Sequence, residues 1–319
     1  MGARIGVIGA GQVGAAAAYL LSGTAGVSDV VLVDVNTARA AGEAADIGHA
    51  AAFGNAARVS EGGYADLAGA SVVVITAGAS LLPGQTRLQL VQKNLGIADN
   101  VVEQVLRAAP DTVLLFATNP VDVMPALAVL RWGVPASRAI GTGCMLDSTR
   151  FRDRLAHHLK VAPGAVHAYV YGEHGDSQVL HWSSAVAGGV PILSFAEQLG
   201  RPIDAALQQT MAEDVRDAAY RIKAGKGVSN FGIGGCIARL VHALVADEQG
   251  VFPVSTFMPE VLGVRDTCVS LPHVLGAGGA SHAFMPPLSA TEGEALAASA
   301  AVVATTLREG MAALPPRTA

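Results

Sequence analysis

Apolar residues in the first 120 or so positions gather in short unbroken runs, not in alternating or helical stripes. Four such runs, residues 4–8 (RIGVI), 30–33 (VVLV), 72–76 (VVVIT) and 113–116 (VLLF), are rich in β-branched residues. Strands buried between two helical layers carry this pattern, because both of their faces meet apolar neighbours. The segments between the runs are helix-length and alanine-rich, so the pattern predicts repeated βαβ units on a parallel sheet.

The texture changes beyond about residue 141. An amphipathic helix is predicted over 146–159, a strand over Val166–Tyr171 and a second helix around 202–223. Two short β-like pieces, 251–257 and 267–271, are separated by glycine and proline and read as antiparallel, and an alanine-rich helix over about 290–309 closes the chain. No internal repeat and no serine- or proline-rich linker marks a boundary, so Gly141 is a soft division and the two parts are expected to pack tightly.

Composition narrows the classes. With 319 residues and 51% hydrophobic content, the chain is long enough to bury a substantial core. A formal net charge of -5 without any block of like charges offers no footprint for nucleic acid or an anionic membrane. Small molecules and further copies of the chain are the expected partners. No apolar run approaches the roughly 18 residues of a membrane span. The apolar start resembles a weak secretory signal, but Gly9, Gly11, Gln12 and Gly14 interrupt it. Cys144, Cys236 and Cys268 lie far apart with no CxxC pair, which signals neither disulfides nor zinc and fits a reducing compartment.

The first chemical motif directly follows the first run. In "GVIGAGQVGAAAAYLL", Gly9, Gly11 and Gly14 have GxGxxG spacing between a strand and an alanine-rich helix. The first glycine permits a tight turn, the second lets a diphosphate approach the backbone, and the third allows close helix–strand packing. Asp34 ends the second run about 20 residues past Gly14, where a carboxylate accepts from the ribose hydroxyls of an adenosine and repels a 2′-phosphate. NAD is therefore expected over NADP. The fold class is α/β: a Rossmann-type doubly wound parallel sheet over residues 1–141, followed by an α+β substrate domain with antiparallel strands over 142–319.

A second motif, "YGEHGD", sets His174 between two carboxylates and two glycines. A lone histidine is more often structural than catalytic. Glu173, His174 and Asp176 make a poor metal set, since extended chain sends neighbouring side chains to opposite faces, and the adjacent His157 and His158 are no better; no metal is expected. Asp147 and Arg150 are spaced i and i+3, which puts opposite charges on one helical face. A carboxylate beside an imidazole orients the ring and stabilises its protonated form, and a guanidinium grips a carboxylate through parallel hydrogen bonds. The same spacing equally suits a plain intrahelical ion pair contributing about 0.3–0.5 kcal/mol, and spacing alone leaves both readings standing.

Taken together, "GAGQVG", "VVVITAGA", "GQTRLQLVQKN", "ATNPVD", "GTGCMLDSTRFR", "HAYVYGEHGDSQ" and "WSSAVAGGVP" resemble the NAD-dependent L-lactate/malate dehydrogenase family, most of all its bacterial L-lactate dehydrogenases. The likeness runs in order over essentially the whole chain. It implies that His174 exchanges a proton with the substrate carbonyl oxygen, with Asp147 as its orienting partner and Arg150 holding the substrate carboxylate. It further implies that Arg87 sits on a closing loop and polarises the carbonyl, that Asn119 places substrate and nicotinamide, and that Ser229 lines the substrate pocket. Gln12, Val13, Thr76, Ala77, Gly78 and Thr142 join the glycines and Asp34 as implied cofactor-binding positions. Arg152, about 200° round the helix from Arg150, faces away from that site; with His167 it matches an anion site that receives fructose 1,6-bisphosphate at a subunit interface. A cytoplasmic homotetramer acting on pyruvate and L-lactate is the corresponding expectation.

The chain departs from the family at two lid positions. Gln85 stands where an acid is common, and Leu81 occupies the position that separates lactate enzymes, which carry glutamine there, from malate enzymes, which carry arginine. Leucine cannot pair with a second carboxylate, and burying that charge unpaired costs several kcal/mol. A malate dehydrogenase is therefore disfavoured, and a larger apolar 2-oxo acid stays open. A catalytically silent NAD-binding module is the rival from another class, since fold alone does not establish activity. In a kcat/KM panel of pyruvate, oxaloacetate, 2-oxobutyrate and phenylpyruvate, oxaloacetate should be a poor substrate and Leu81→Arg should shift preference toward it. A wild-type preference for oxaloacetate would refute this reading of Leu81.

Overall fold

The computed structural model describes residues 2–54, 57–80 and 84–316. Leu81 lies outside the described residues. The first part runs β1 (Ala3–Ile8), α1 (Gln12–Ser22), β2 (Val27–Val33), α2 (Thr37–Ala51), β3 (Arg58–Glu61), β4 (Val72–Ile75), α3 (Arg87–Ala108), β5 (Val113–Phe116), α4 (Met124–Trp132) and β6 (Ala139–Gly141). Then come α5 (Met145–Leu159), β7 (Val166–Tyr171), β8 (Val179–Ala187), β9 (Val190–Pro191), α6 (Ile192–Gln198), α7 (Ala205–Lys226) and α8 (Phe231–Val245). The chain ends with β10 (Gly250–Val261), β11 (Val264–Gly276), β12 (Gly279–Ala280) and α9 (Ala290–Met311).

The first six strands are parallel in the order β3-β2-β1-β4-β5-β6, which reverses direction between β1 and β4. Their residues alternate between two cores, as strands covered on both faces must. Val72 and Val74 join the core under α1, α2 and α8, while Val73 and Ile75 join the core under α3, α4 and α9. A third core lies between α5, α6, α7 and the small antiparallel sheet β7-β8-β9.

The four apolar runs are strands as expected, and so is Val166–Tyr171. The antiparallel pieces prove longer than the pattern indicated, and they extend the first sheet: β10 pairs with β6 through Ser255 and Gly141, so the nine-stranded sheet crosses residue 141. Elements that the pattern did not reveal have physical excuses. β3 is a half-exposed edge strand, and β6 has only three residues. Helix α8 opens on "FGIGGC", whose glycines argue against a helix by propensity. Gly234 is there for packing, because a Cβ on it would come within 3.2 Å of the Ala16 carbonyl carbon in α1.

Candidate active site

At the reversal between β1 and β4 the strand ends open into a groove, where open α/β sheets bind ligands. The turn after β1 needs its glycines. Gly9 has φ +102, and a Cβ on Gly14 would sit 1.8 Å from the Gly9 carbonyl oxygen. A Cβ on Gly11 would meet nothing within 4 Å, so that position faces open space at the start of α1, whose N-terminus has no side-chain cap. The Thr76 hydroxyl donates to the carbonyls of Ile8 and Gly9, each at 3.0 Å, and ties the end of β4 to this turn. Asp34 accepts from the N–H groups of Ala10 at 2.6 Å and Asn36 at 2.8 Å, which fixes its carboxylate at the rim.

Gly9, Gly11, Asp34, Thr76, Ala77 and Gly78 all line this groove of about 900 Å³. A cradle of backbone N–H groups with room for a phosphate, and an acid at the ribose end, fits a dinucleotide. Gln12 and Val13 begin α1, and Gly14 is buried in its first turn against the glycine loop. Asn119 is exposed after β5, and its carbonyl accepts from Asn94 at 2.8 Å. Thr142 is buried, its N–H bonded to the Phe116 carbonyl at 2.9 Å.

The acid–base cluster assembles around one carboxylate. Asp147, in the first turn of α5, has a side chain only 3% exposed. Its Oδ2 lies 2.5 Å from His174 Nδ1, and its Oδ1 accepts from Arg150 Nη1 at 2.8 Å. The intrahelical ion pair therefore exists, and the same carboxylate carries the imidazole. An ionised carboxylate only accepts, so Nδ1 bears the proton in this pair and Nε2 is the atom free to exchange one with a ligand.

His174 is held from behind by its backbone as well. Its N–H donates to Asp122 Oδ2 at 2.7 Å, and the other oxygen of this buried carboxylate has no partner in hydrogen-bond geometry among the described residues. Burial pushes the Asp122 carboxyl up to about 7 against the pull of His174. One residue earlier, Glu173 N–H donates to Ser299 Oγ at 2.8 Å and Glu173 Oε2 accepts from Ser177 Oγ at 2.5 Å. Sequence reasoning did not find these supports. Asp122 stands within "ATNPVD", but nothing local says that it is buried beside a residue 52 positions away.

Arg87 is not on a loop, as the resemblance implied, but is the first residue of α3. Thr86 and Gln89 form a reciprocal capping box there, which extends the helix to this point. Its guanidinium pairs with Asp176 at 3.1 Å, two residues beyond His174, and that carboxylate raises the Arg87 pKa. Ser229 is half-buried in the connection from α7 to α8 and makes no hydrogen bond to the cluster.

Arg152 has other contacts. Its Nε donates to the Ser148 carbonyl at 3.2 Å, its guanidinium lies 5.9 Å from the Tyr169 ring centre, and it lines a separate cavity of about 270 Å³. His167 is exposed on β7, two residues before Tyr169 and therefore on the same strand face.

A groove that fits a dinucleotide, in a chain that also holds an imidazole–carboxylate pair and a guanidinium, is that of an NAD-dependent oxidoreductase. The lactate/malate dehydrogenase NAD-binding domain matches residues 3–141, and the α/β C-terminal domain of the same family matches 144–314. The chain belongs to the lactate/malate dehydrogenase family. It is 48% identical over 300 residues to an L-lactate dehydrogenase of Thermus aquaticus, covering 94% of this chain and 97% of that one. It is 46% identical to one of Allorhizobium ampelinum, covering 93% and 96%. The ligand-bound crystal structure of a minor L-lactate dehydrogenase from Enterococcus mundtii superposes with a TM-score of 0.91 at 35% identity, covering 96% of this chain and 98% of that one.

The electrostatics of the cluster are testable. The Asp147 charge raises the His174 pKa from 6.5 to about 9, with burial opposing. Burial works to raise Asp147, but the adjacent His174 and Arg150 outweigh it and hold it below its usual range. Since the folded imidazole is the stronger base, its pairing stabilises the fold fully below about 6.5, the unfolded value, and that contribution fades as pH rises through about 9. The Asp147 contribution is present above about 3.9 and fades as pH falls further, because its folded pKa is lowered. The His174 ring resonances should titrate near 9 in the wild type and at clearly lower pH in Asp147→Asn, where the largest counter-charge is gone and burial remains. A wild-type midpoint at or below the free-histidine value would contradict this picture.

Proposed function

We propose that the chain is an NAD-dependent L-lactate dehydrogenase, interconverting pyruvate and L-lactate, with His174 as proton donor and acceptor. The observation that carries this reading is the single buried carboxylate of Asp147 shared by His174 and Arg150. Arg150 uses one nitrogen on Asp147, and the rest of its planar fork is left to hold the substrate carboxylate. That grip places the substrate carbonyl oxygen at His174 Nε2. Bound in the groove, the nicotinamide supplies or accepts the hydride at C2. In reduction, His174 Nε2 gives its proton to the carbonyl oxygen, so the ring passes from imidazolium to neutral and Asp147 keeps Nδ1 protonated throughout. Oxidation runs the same steps in reverse.

Arg87 contributes by leaving Asp176 and turning toward the carbonyl oxygen, where negative charge develops. Asn119 and Ser229 complete the substrate pocket. Thr142, Gln12 and Val13 serve the cofactor beside the groove residues. The relatives named above support pyruvate and L-lactate as the small-molecule pair, and Leu81 keeps a larger apolar 2-oxo acid as the second reading.

Self-association as a homotetramer and control by fructose 1,6-bisphosphate belong to the same proposal. What supports an anion site is that Arg152 and His167 lie on the side of α5 and β7 away from the acid–base cluster. Cytoplasmic action is supported by the three cysteines, all buried free thiols. Among the described residues no helix is long and apolar enough to cross a membrane.

Loss of NADH absorbance on adding pyruvate tests the activity, and His174→Asn should lower kcat by about 10²–10⁴ while NADH still binds. Turnover surviving that substitution would end the assignment. Titrating fructose 1,6-bisphosphate at sub-saturating pyruvate should lower the apparent KM, and Arg152→Gln should abolish the response. An unchanged KM and an unchanged oligomer in the wild type would remove the effector from the proposal.

A further inference from the structure

We propose that Lys93 is a further cofactor-binding residue, whose ammonium supplies the counter-charge for the diphosphate from the wall of the groove opposite the glycine turn. The inference rests on the groove being the NAD site. The glycine turn offers N–H groups and the partial charge of a helix end, about half an elementary charge, yet the first turn of α1 contains no basic residue. A diphosphate brings a full negative charge on each phosphate, so the cradle alone leaves it under-compensated.

Three charged side chains line the groove among the described residues: Asp34, Arg39 and Lys93. Arg39 lies just past Asp34, at the ribose end, and its charge is shared with Glu43 at 3.8 Å. Lys93 is exposed and forms no ion pair with any described residue.

Its height along the groove follows from its neighbour. Asn94 is buried, accepts from the Ala79 N–H at 2.7 Å and donates to the Ala79 carbonyl at 3.2 Å, which locks this turn of α3 to the end of β4. That segment abuts the glycine turn, since a Cβ on Gly9 would come within 2.8 Å of Ala77 N. Lys93, the residue before Asn94, lines the same groove as Gly9 and Gly11. Asn100, which also lines the groove, is seven residues further along α3, and at 1.5 Å rise per residue that is about 10 Å away. One turn on from Lys93, Gly96 adds no side chain and has open space where a Cβ would be, so the wall beside the lysine stays hollow. A long flexible stem with a compact charge suits a phosphate approached across such a hollow.

The test uses the full chain with Lys93→Met and Lys93→Arg, neither of which disturbs a buried contact. NADH dissociation constants from nicotinamide fluorescence are measured at several salt concentrations, with ADP and adenosine as competitors. Lys93→Met should weaken NADH and ADP by about five- to tenfold at low salt and flatten the salt dependence. Lys93→Arg should stay near the wild type, and adenosine, which lacks phosphate, should bind all three alike. Equal NADH affinity and equal salt dependence in wild type and Lys93→Met would overturn the role of Lys93 while leaving the groove as the NAD site. A wild-type chain that fails to bind NADH would overturn both.

Discussion

A carboxylate almost wholly withdrawn from water holds this molecule's chemistry in place. An unpaired charge at Asp147 would cost several kcal/mol, so the fold is committed to keeping both His174 and Arg150 against it. That commitment makes the site pre-organised: the ring is oriented, its tautomer is set, and its protonated form is favoured before any substrate arrives. The surrounding structure serves the same end. Ser148 Oγ accepts from the Val170 N–H at 2.9 Å and ties α5 to β7, while Asp122 and Ser299 receive the backbone N–H groups of His174 and Glu173.

Topology brings this pair to the cofactor groove. The sheet reverses order between β1 and β4, which opens a crevice at their carboxyl ends, and the chain leaving β5 carries Asn119 and Asp122 past that crevice toward His174. Asn94 ties the groove to the chain leaving β5, because its side chain bonds both Ala79 at the groove and the Asn119 carbonyl. Electrostatic tasks divide accordingly. The groove offers backbone N–H groups and the solvent-facing side chains of Arg39 and Lys93, whereas the acid–base cluster relies on a buried carboxylate with fixed partners.

Legibility in the sequence followed the range of the interactions. The glycine turn, Asp34, and the i, i+3 pair of Asp147 and Arg150 are local patterns: Gly9, Gly11 and Asp34 line one groove, and Arg150 bonds Asp147. Asp122 and Lys93 look ordinary in sequence, since their significance comes from neighbours far along the chain. Arg87 shows the intermediate case: its guanidinium pairs with Asp176, two residues beyond His174, while the capping box of Thr86 and Gln89 makes its backbone helical where the resemblance implied a loop. The antiparallel strands were visible as β segments, while their addition to the parallel sheet depended on Ser255 meeting Gly141.

By itself the sequence determined the βαβ repeat, the glycine turn, the acid at the end of the second strand and the amphipathic helix with its two opposite charges. All of these depend on periodicity or on sterics within a few residues. Only the tertiary structure decided that one carboxylate serves both the imidazole and the guanidinium, that a second buried acid supports the ring from behind, and that a lysine on α3 lines the same groove as the glycine turn. Burial and convergence of distant segments set those relations, and neither is encoded in any single stretch of chain.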